Sequence, residues 1–223
     1  MNFSVESEGR ISSVDIDVDT FVVCEKREAS AAEVHPANSS EPQRDLPASS
    51  WKFHRVAATR LRPTRRLECL GSVSAGAIGY LLMRHNDHLY VGVGSDHDDP
   101  VLARENPALS KQLFDKPCSQ SLWLLNDVER HWSSLELHAR IHEKGMMVTY
   151  QRALLSDLPS PASMIETFSL YDSLENGTAM FVGSVPVIGA VRTTDRFSFS
   201  MFDPQLNRTL SGSYYVVCLP VRA

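Results

Sequence analysis

Two stretches of this chain carry residue types that could do chemistry. The first is Gly183-Ser184-Val185-Pro186, with Gly189 close behind. Glycines beside a Ser-x-Pro turn let the backbone approach a ligand, because no side chain intervenes. The Ser184 hydroxyl can donate to a carbonyl or carboxylate oxygen. The second is Asp96-His97-Asp98-Asp99, just after an apolar run. On an extended segment Asp96 and Asp98 share a face, and Asp99 points away. Arg55 and Arg192 are candidate clamps for an acidic substrate group, since a guanidinium pairs with a carboxylate through two parallel hydrogen bonds. His138 and His142 stand four apart, the spacing of a helical metal pair. Residues 135–141 alternate with the period of a strand, however, and that removes the geometry. Four scattered cysteines without a CxxC pair suggest reduced thiols, with neither a zinc site nor a disulfide framework.

The elements that must position these residues read as mostly strands. Residues 11–23 read as a strand, with acidic and apolar side chains alternating from Val14 onward. Residues 73–83 and 89–93 are two strand-like runs around the polar turn 84–88, and residues 135–141 and 146–151 form a hairpin over Glu143-Lys144-Gly145. Helices are expected at 107–114, at 124–132 with Asn126 or Asp127 near its start, and at 161–174. Strands and turns return at 179–221. Residues 26–50 are rich in Ala, Ser, Glu and Pro and read as a flexible connection within one domain spanning 1–223. No βαβ alternation occurs, so a doubly wound sheet is not expected.

Of the 223 residues, 43% are hydrophobic and 22% charged, and the net charge is -5. That balance opposes a nucleic-acid reader. Arg60, Arg62, Arg65 and Arg66, around Pro63, read as a solvated loop or strand edge. No run of about 18 apolar residues suggests a membrane span. The opening MNFSVESEGR lacks the pattern of a secretory leader, so a cytoplasmic address is expected.

The run from Phe181 to Val217 resembles the closing segment of the fumarylacetoacetate hydrolase superfamily, with Asp195 in an aspartate position and Thr194 replacing a glycine. Residues 90–132 are similar to a bacterial branch of the same superfamily, and Asp-Val-Asp-Thr near the start and Arg55-Val-Ala-Ala58 fit too. The resemblance covers nearly the whole chain apart from 26–50. It implies an α+β, mostly β fold, a mixed β-sandwich or roll with a few short helices, and a homodimer. It makes Asp96 a metal-binding aspartate and Lys111 a lysine near the reacting carbonyl.

The superfamily's two further metal ligands, from a Glu-x-Glu strand, fall on Ala77 and Gly79. No Asp or Glu occurs between Gly71 and Asn86, so Mg or another divalent cation is disfavoured and no cofactor is expected. What remains is an apolar wall (Ala77, Gly79, Ile78, Tyr80) with Asp96, His97, Lys111, Gln112, Gly183, Ser184 and Arg55 as polar or close-approach candidates. In this reading Lys111 or His97 polarises or protonates a carbonyl, with Asp96 setting the state of His97. The expected activity is a metal-independent cyclisation (an intramolecular cycloaddition among the options), isomerisation or related rearrangement of a small apolar oxygenated molecule in specialised metabolism. A metal-dependent hydrolase or decarboxylase of acylpyruvate-like or β-diketone substrates, and a non-catalytic small-molecule binder, are the alternatives. Asp96 and His97 as turn caps and Lys111 as a solvated helix residue are the plain structural ones.

Overall fold

A computed structural model describes residues 1–26, 50–183 and 185–220. Strands β1 (Asn2–Ser7) and β2 (Arg10–Asp15) form a hairpin, and β3 (Thr20–Lys26) pairs antiparallel with β4 (Trp51–Val56). Short β5 (Leu61–Arg62) and β6 (Arg66–Leu70) precede the hairpin of β7 (Ile78–His85) and β8 (His88–Ser95). Asn86 and Asp87 close that hairpin at φ 47° and 61°, the left-handed pair that a tight two-residue turn demands. Next come α1 (Leu102–Glu105), α2 (Pro107–Leu113), β9 (Lys116–Pro117), β10 (Ser121–Leu124) and α3 (Leu125–Val128). The chain closes with β11 (Glu136–Glu143), β12 (Met146–Leu154), α4 (Pro161–Ser169), β13 (Thr178–Val182), β14 (Arg196–Asp203) and β15 (Arg208–Leu219).

Eight strands form one sheet in the order β2-β1-β10-β8-β7-β13-β3-β4, five form a second in the order β12-β11-β14-β15-β6, and β5 pairs with β9. Tyr80, Leu82, Val91 and Val93 of the large sheet share one buried cluster with Leu137, Ile141, Phe197, Met201 and Tyr214 of the smaller. Each such side chain contributes roughly 1.5–3 kcal/mol by leaving water. The opposite face of the large sheet carries a second cluster, with Phe21, Val23, Leu81, Met83 and Phe181. Helix α2 is tied to β4 from outside: Gln112 Oε1 accepts from Ala57 N at 3.1 Å, and its Nε2 donates to the Arg55 carbonyl at 3.0 Å.

The mostly β character with few helices is as expected, and both hairpins form, although β7 begins at Ile78 rather than at residue 73 and its turn is Asn86-Asp87 rather than the whole of 84–88. Several boundaries differ. The run 11–23 is two strands, because the chain turns at 16–19 to bury Ile16 and to bond Asp19 N to the Gly177 carbonyl. The helix at 124–132 gives way to a 3-10 turn over Glu129–Ser134, where His131 leaves helical geometry, and neither Asn126 nor Asp127 caps α3. Trp132 is buried edge-on against Tyr80 at 5.0 Å. Helix α4 begins at the Ser160 cap but ends five residues earlier than its apolar pattern suggests. The connection at 26–50, apart from its two end residues, and Ser184 lie outside the described residues. Among the described residues no helix is long and apolar enough to cross a membrane.

Candidate functional site

The strand register brings the chemically promising segments to one end of the large sheet. Val182 lies level with Cys24 on one side and Tyr80 on the other, and Gly79 with Gly94. Continuing that register puts Glu25, Gly183, Gly79 and Gly94 in a single row across four strands, about 4.8 Å apart. Beyond the end of β8, Asp96 continues the ladder against Ala77: Asp96 N donates to Ala77 O at 2.8 Å, and Ala77 N to Asp96 O at 3.2 Å. Residues opposite one another in an antiparallel pair share a face, so Asp96 and Ala77 look out on the same side as the glycine row. The ring of Phe181 lies over this row: a Cβ built on Gly79 would stand 2.6 Å from Phe181 Cε1 and would also meet the Val182 carbonyl oxygen.

Helix α2 delivers Lys111 to this face. Asn106 caps the helix by accepting from Leu109 N at 3.0 Å, Pro107 occupies its first turn, and Ser110 Oγ donates to Asp99 O at 2.9 Å. The buried Lys111 Nζ then donates to Asp96 Oδ2 at 2.5 Å and Asp98 Oδ2 at 2.7 Å. Asp99 instead accepts from Val101 N and Leu102 N and starts α1. The expectation that Asp96 and Asp98 share a face while Asp99 points away therefore describes the geometry. A second lysine, Lys116 of β9, is buried with its Nζ 2.9 Å from Asp96 Oδ1 and donates to the His97 carbonyl.

Charge sets the protonation states. Burial alone would raise the Asp96 carboxyl, but the Lys111 and Lys116 ammoniums outweigh it and hold that group well below the usual carboxylate range. Asp98 is pushed up, by burial first and then by the Asp96 charge. Burial disfavours the Lys111 ammonium, yet Asp96 and Asp98 overcome this and raise its pKa. Lys111 is consequently a fixed cation and a poor nucleophile. Two of its three N–H bonds are taken, and one is left to donate.

His97 does not take the place the sequence suggests. As the next residue on an extended segment it points to the other face, into the main core. Its Nδ1 lies 2.9 Å from the Tyr214 hydroxyl, and its Nε2 3.5 Å from Cys69 Sγ. Burial, with the Lys116 charge second, lowers its pKa to about 3. The imidazole is therefore neutral at physiological pH, and its hydrogen-bond partners are Tyr214 and Cys69 rather than Asp96. Ile78 and Tyr80 likewise face the core and form no wall beside Ala77 and Gly79; the Tyr80 hydroxyl donates to Pro159 O at 2.8 Å. Gln112 is occupied in tying α2 to β4. Arg55 turns outward to Asp172 at 3.1 Å, and Arg192 pairs with Glu143 at 3.0 Å while covering the Tyr150 ring. None of these is free to clamp a substrate at the site.

Two residues of this end of the sheet carried no sequence signal. Glu25 closes β3, and its Oε2 lies 2.8 Å from His54 Nε2 of β4. The His54 hydrogen bond is the main cause of a lowered Glu25 pKa, and the Lys111 charge adds to it. The pair thus faces the same charge cluster.

The resemblance calls for a divalent cation held by Asp96 and two glutamates. The side chains present do not fit one. Gly79 has no room for a side chain beneath Phe181, Ala77 has no donor, and both oxygens of Asp96 face ammonium groups. Among the described residues no three His, Cys, Asp or Glu side chains converge as a cation site.

The comparisons agree with this fold. Cg1458 is 13% identical with a TM-score of 0.62, over 92% of this chain and 78% of that one. A 2-keto-3-deoxy-D-arabinonate dehydratase in its apo form is 11% identical at 0.64, over 95% and 77%. The same dehydratase complexed with magnesium and 2,5-dioxopentanoate is 11% identical at 0.63, over 92% and 75%. At such identities the likeness is one of fold, and that fold is of the fumarylacetoacetate hydrolase kind. No curated protein matches the sequence. Residues 26–214 match the family described as "Protein of unknown function (DUF2848)", and the chain belongs to that family.

Proposed function

We propose that the chain is an enzyme that isomerises, cyclises or otherwise rearranges a small oxygenated organic molecule without a divalent cation. The observation that carries this reading is the Lys111 ammonium, fixed between Asp96 at 2.5 Å and Asp98 at 2.7 Å beside a row of glycines. A carbonyl oxygen accepting the third N–H of Lys111 would have its developing negative charge stabilised by a cation already in place. His54, with its Nε2–H directed at Glu25, presents Nδ1 as a base. It would take a proton from the carbon beside that carbonyl and return it to another atom of the same substrate, so that an isomerisation balances internally. Elimination of water next to a carbonyl starts with the same abstraction. The dehydratase among the structural neighbours therefore fits a lyase variant of this reading, with a 2-oxo acid as the substrate class.

The test is NMR of the purified protein in deuterium oxide with small 2-oxo and 1,3-dicarbonyl acids, with and without EDTA. Exchange or rearrangement that survives EDTA and is lost in both Lys111→Met and His54→Asn supports the proposal. Turnover appearing only with added Mg²⁺ or Mn²⁺, together with calorimetric binding of the ion, would establish the metal-dependent hydrolase or decarboxylase instead. Tight ligand binding without exchange would mark a binding protein.

A further inference from the structure

A cavity of about 680 Å³ opens on the outer face of the five-stranded sheet and shares no lining residue with the site above. Three arginines line it: Arg65 before β6, Arg140 on β11 and Arg196 on β14. No Asp or Glu lines it, and none of the three arginines pairs with a carboxylate among the described residues. Arg140 donates one bond to the Met147 carbonyl, and Arg196 lies over the Tyr215 ring at 5.3 Å. Unneutralised guanidiniums gathered in one cleft stand out in a chain whose net charge is -5.

The register supplies further donors between them. Arg140 lies opposite Ser198, which lies opposite Ser213; His138 lies opposite Ser200, which lies opposite Ser211. The four serines therefore form two cross-strand pairs on neighbouring strands whose backbones lie about 4.8 Å apart. None of the four hydroxyls makes a side-chain hydrogen bond within the protein among the described residues. Glu136, two residues from His138 along β11, is already engaged by His138 at 2.9 Å and Arg152 at 3.3 Å.

We infer that this cleft binds a small molecule carrying a phosphate or diphosphate group. Guanidinium forks and hydroxyl donors together match the several acceptor oxygens of such a group, and these charge-assisted bonds are the strong ones. The volume is within the range of small-molecule pockets, and the exposed Tyr215 ring offers a flat wall beside Arg196 for the rest of the ligand.

The experiment is calorimetric titration of the intact protein with inorganic pyrophosphate at low ionic strength. The wild type should bind with a dissociation constant below about 1 mM, and the affinity should fall as salt rises. The double variant Arg65→Gln/Arg196→Gln should bind at least about tenfold more weakly, a loss of about 1.4 kcal/mol. Ser213→Asp, which keeps every arginine and adds a negative charge, should weaken binding similarly. Lys111→Met should leave it unchanged, so failure here is separate from failure of the proposed activity. Absence of binding, or binding untouched by the arginine and serine changes, overturns the inference. So does binding lost on Lys111→Met alone, or a single-stranded oligonucleotide that binds far more tightly than pyrophosphate.

Discussion

His97 offers a direct check on the protonation state that removes it from the chemistry. The imidazole is fully buried, with Nδ1 2.9 Å from the Tyr214 hydroxyl. Its pKa falls from 6.5 to about 3, through burial first and the Lys116 charge second. A depressed folded-state value means that the unfolded chain binds this proton more readily than the folded one. The associated stability is fully present above pH 6.5 and is lost as the pH falls toward 3. At about 1.36 kcal/mol per pKa unit, the loss between pH 7 and 5 is about 2 kcal/mol, and it reaches about 3 kcal/mol at pH 4. His97→Asn keeps a polar atom facing Tyr214 and cannot titrate. That variant will be less stable overall, because it leaves space near Cys69, but its pH dependence is the quantity of interest. Urea unfolding of both proteins at pH 7 and pH 5 should show the wild-type midpoint falling further than the variant's, by roughly 1 M. Parallel falls would refute the argument and return His97 to the list of groups able to carry a proton at neutral pH.

Three further outcomes follow from the same geometry. Asp96→Ala strips the carboxylate from two buried ammoniums and should cost about 3–5 kcal/mol in chemical denaturation, whereas Lys116→Met, which leaves Asp96 paired with Lys111, should cost less. Gly79→Ala drives a methyl into the Phe181 ring and the Val182 carbonyl and should destabilise by more than about 2 kcal/mol; trimming Phe181 to Leu should not restore it fully, because the carbonyl stays. Asp203, buried at the β14–β15 turn, accepts from Gln205 N, Leu206 N and His131. Burial pushes its carboxyl up, but the His131 bond and these backbone N–H groups outweigh that and lower its pKa. Its contribution is therefore present at neutral pH and is lost as acid protonates it. Asp203→Asn should cost about 1–3 kcal/mol at pH 7 by thermal unfolding, and the gap should close below about pH 4.

The fold was legible where one physical preference dominated. The hairpins over Asn86-Asp87 and Lys144-Gly145 combine alternating strands with residues that accept left-handed geometry, and α2 has Asn106 and Pro107 at its start. Boundaries were lost where a tertiary contact overrode a local pattern. His131 has a helical context in sequence, yet it leaves the helix to reach the buried Asp203 at 3.0 Å. The break at residues 16–19 has the same origin, since Asp19 N is drawn to Gly177 O, far along the chain.

The site was legible only in part, and the division has a physical basis. Asp96, Asp98 and Lys111 lie within 16 residues, so strand alternation plus one short helix is enough to bring them together. Lys116 sits in an unremarkable Asp-Lys-Pro segment, and its partnership with Asp96 depends on β9 pairing with the distant β5. Glu25 and His54 meet only through the antiparallel register of β3 and β4, across a connection that composition reads as structureless. Grouping His97 with Asp96 treated neighbours in sequence as neighbours in space, whereas an extended chain sends them to opposite faces. The two residues that the resemblance aligns with glutamates are a different case. That neither Ala77 nor Gly79 carries a carboxylate is plain in the sequence, but the packing around them is not: Phe181 occupies the volume over Gly79, and Lys111 brings positive charge to Asp96. A carboxylate at position 79 would therefore require moving an aromatic ring and a backbone carbonyl as well, so its exclusion there is built into the packing of neighbouring strands rather than into one residue.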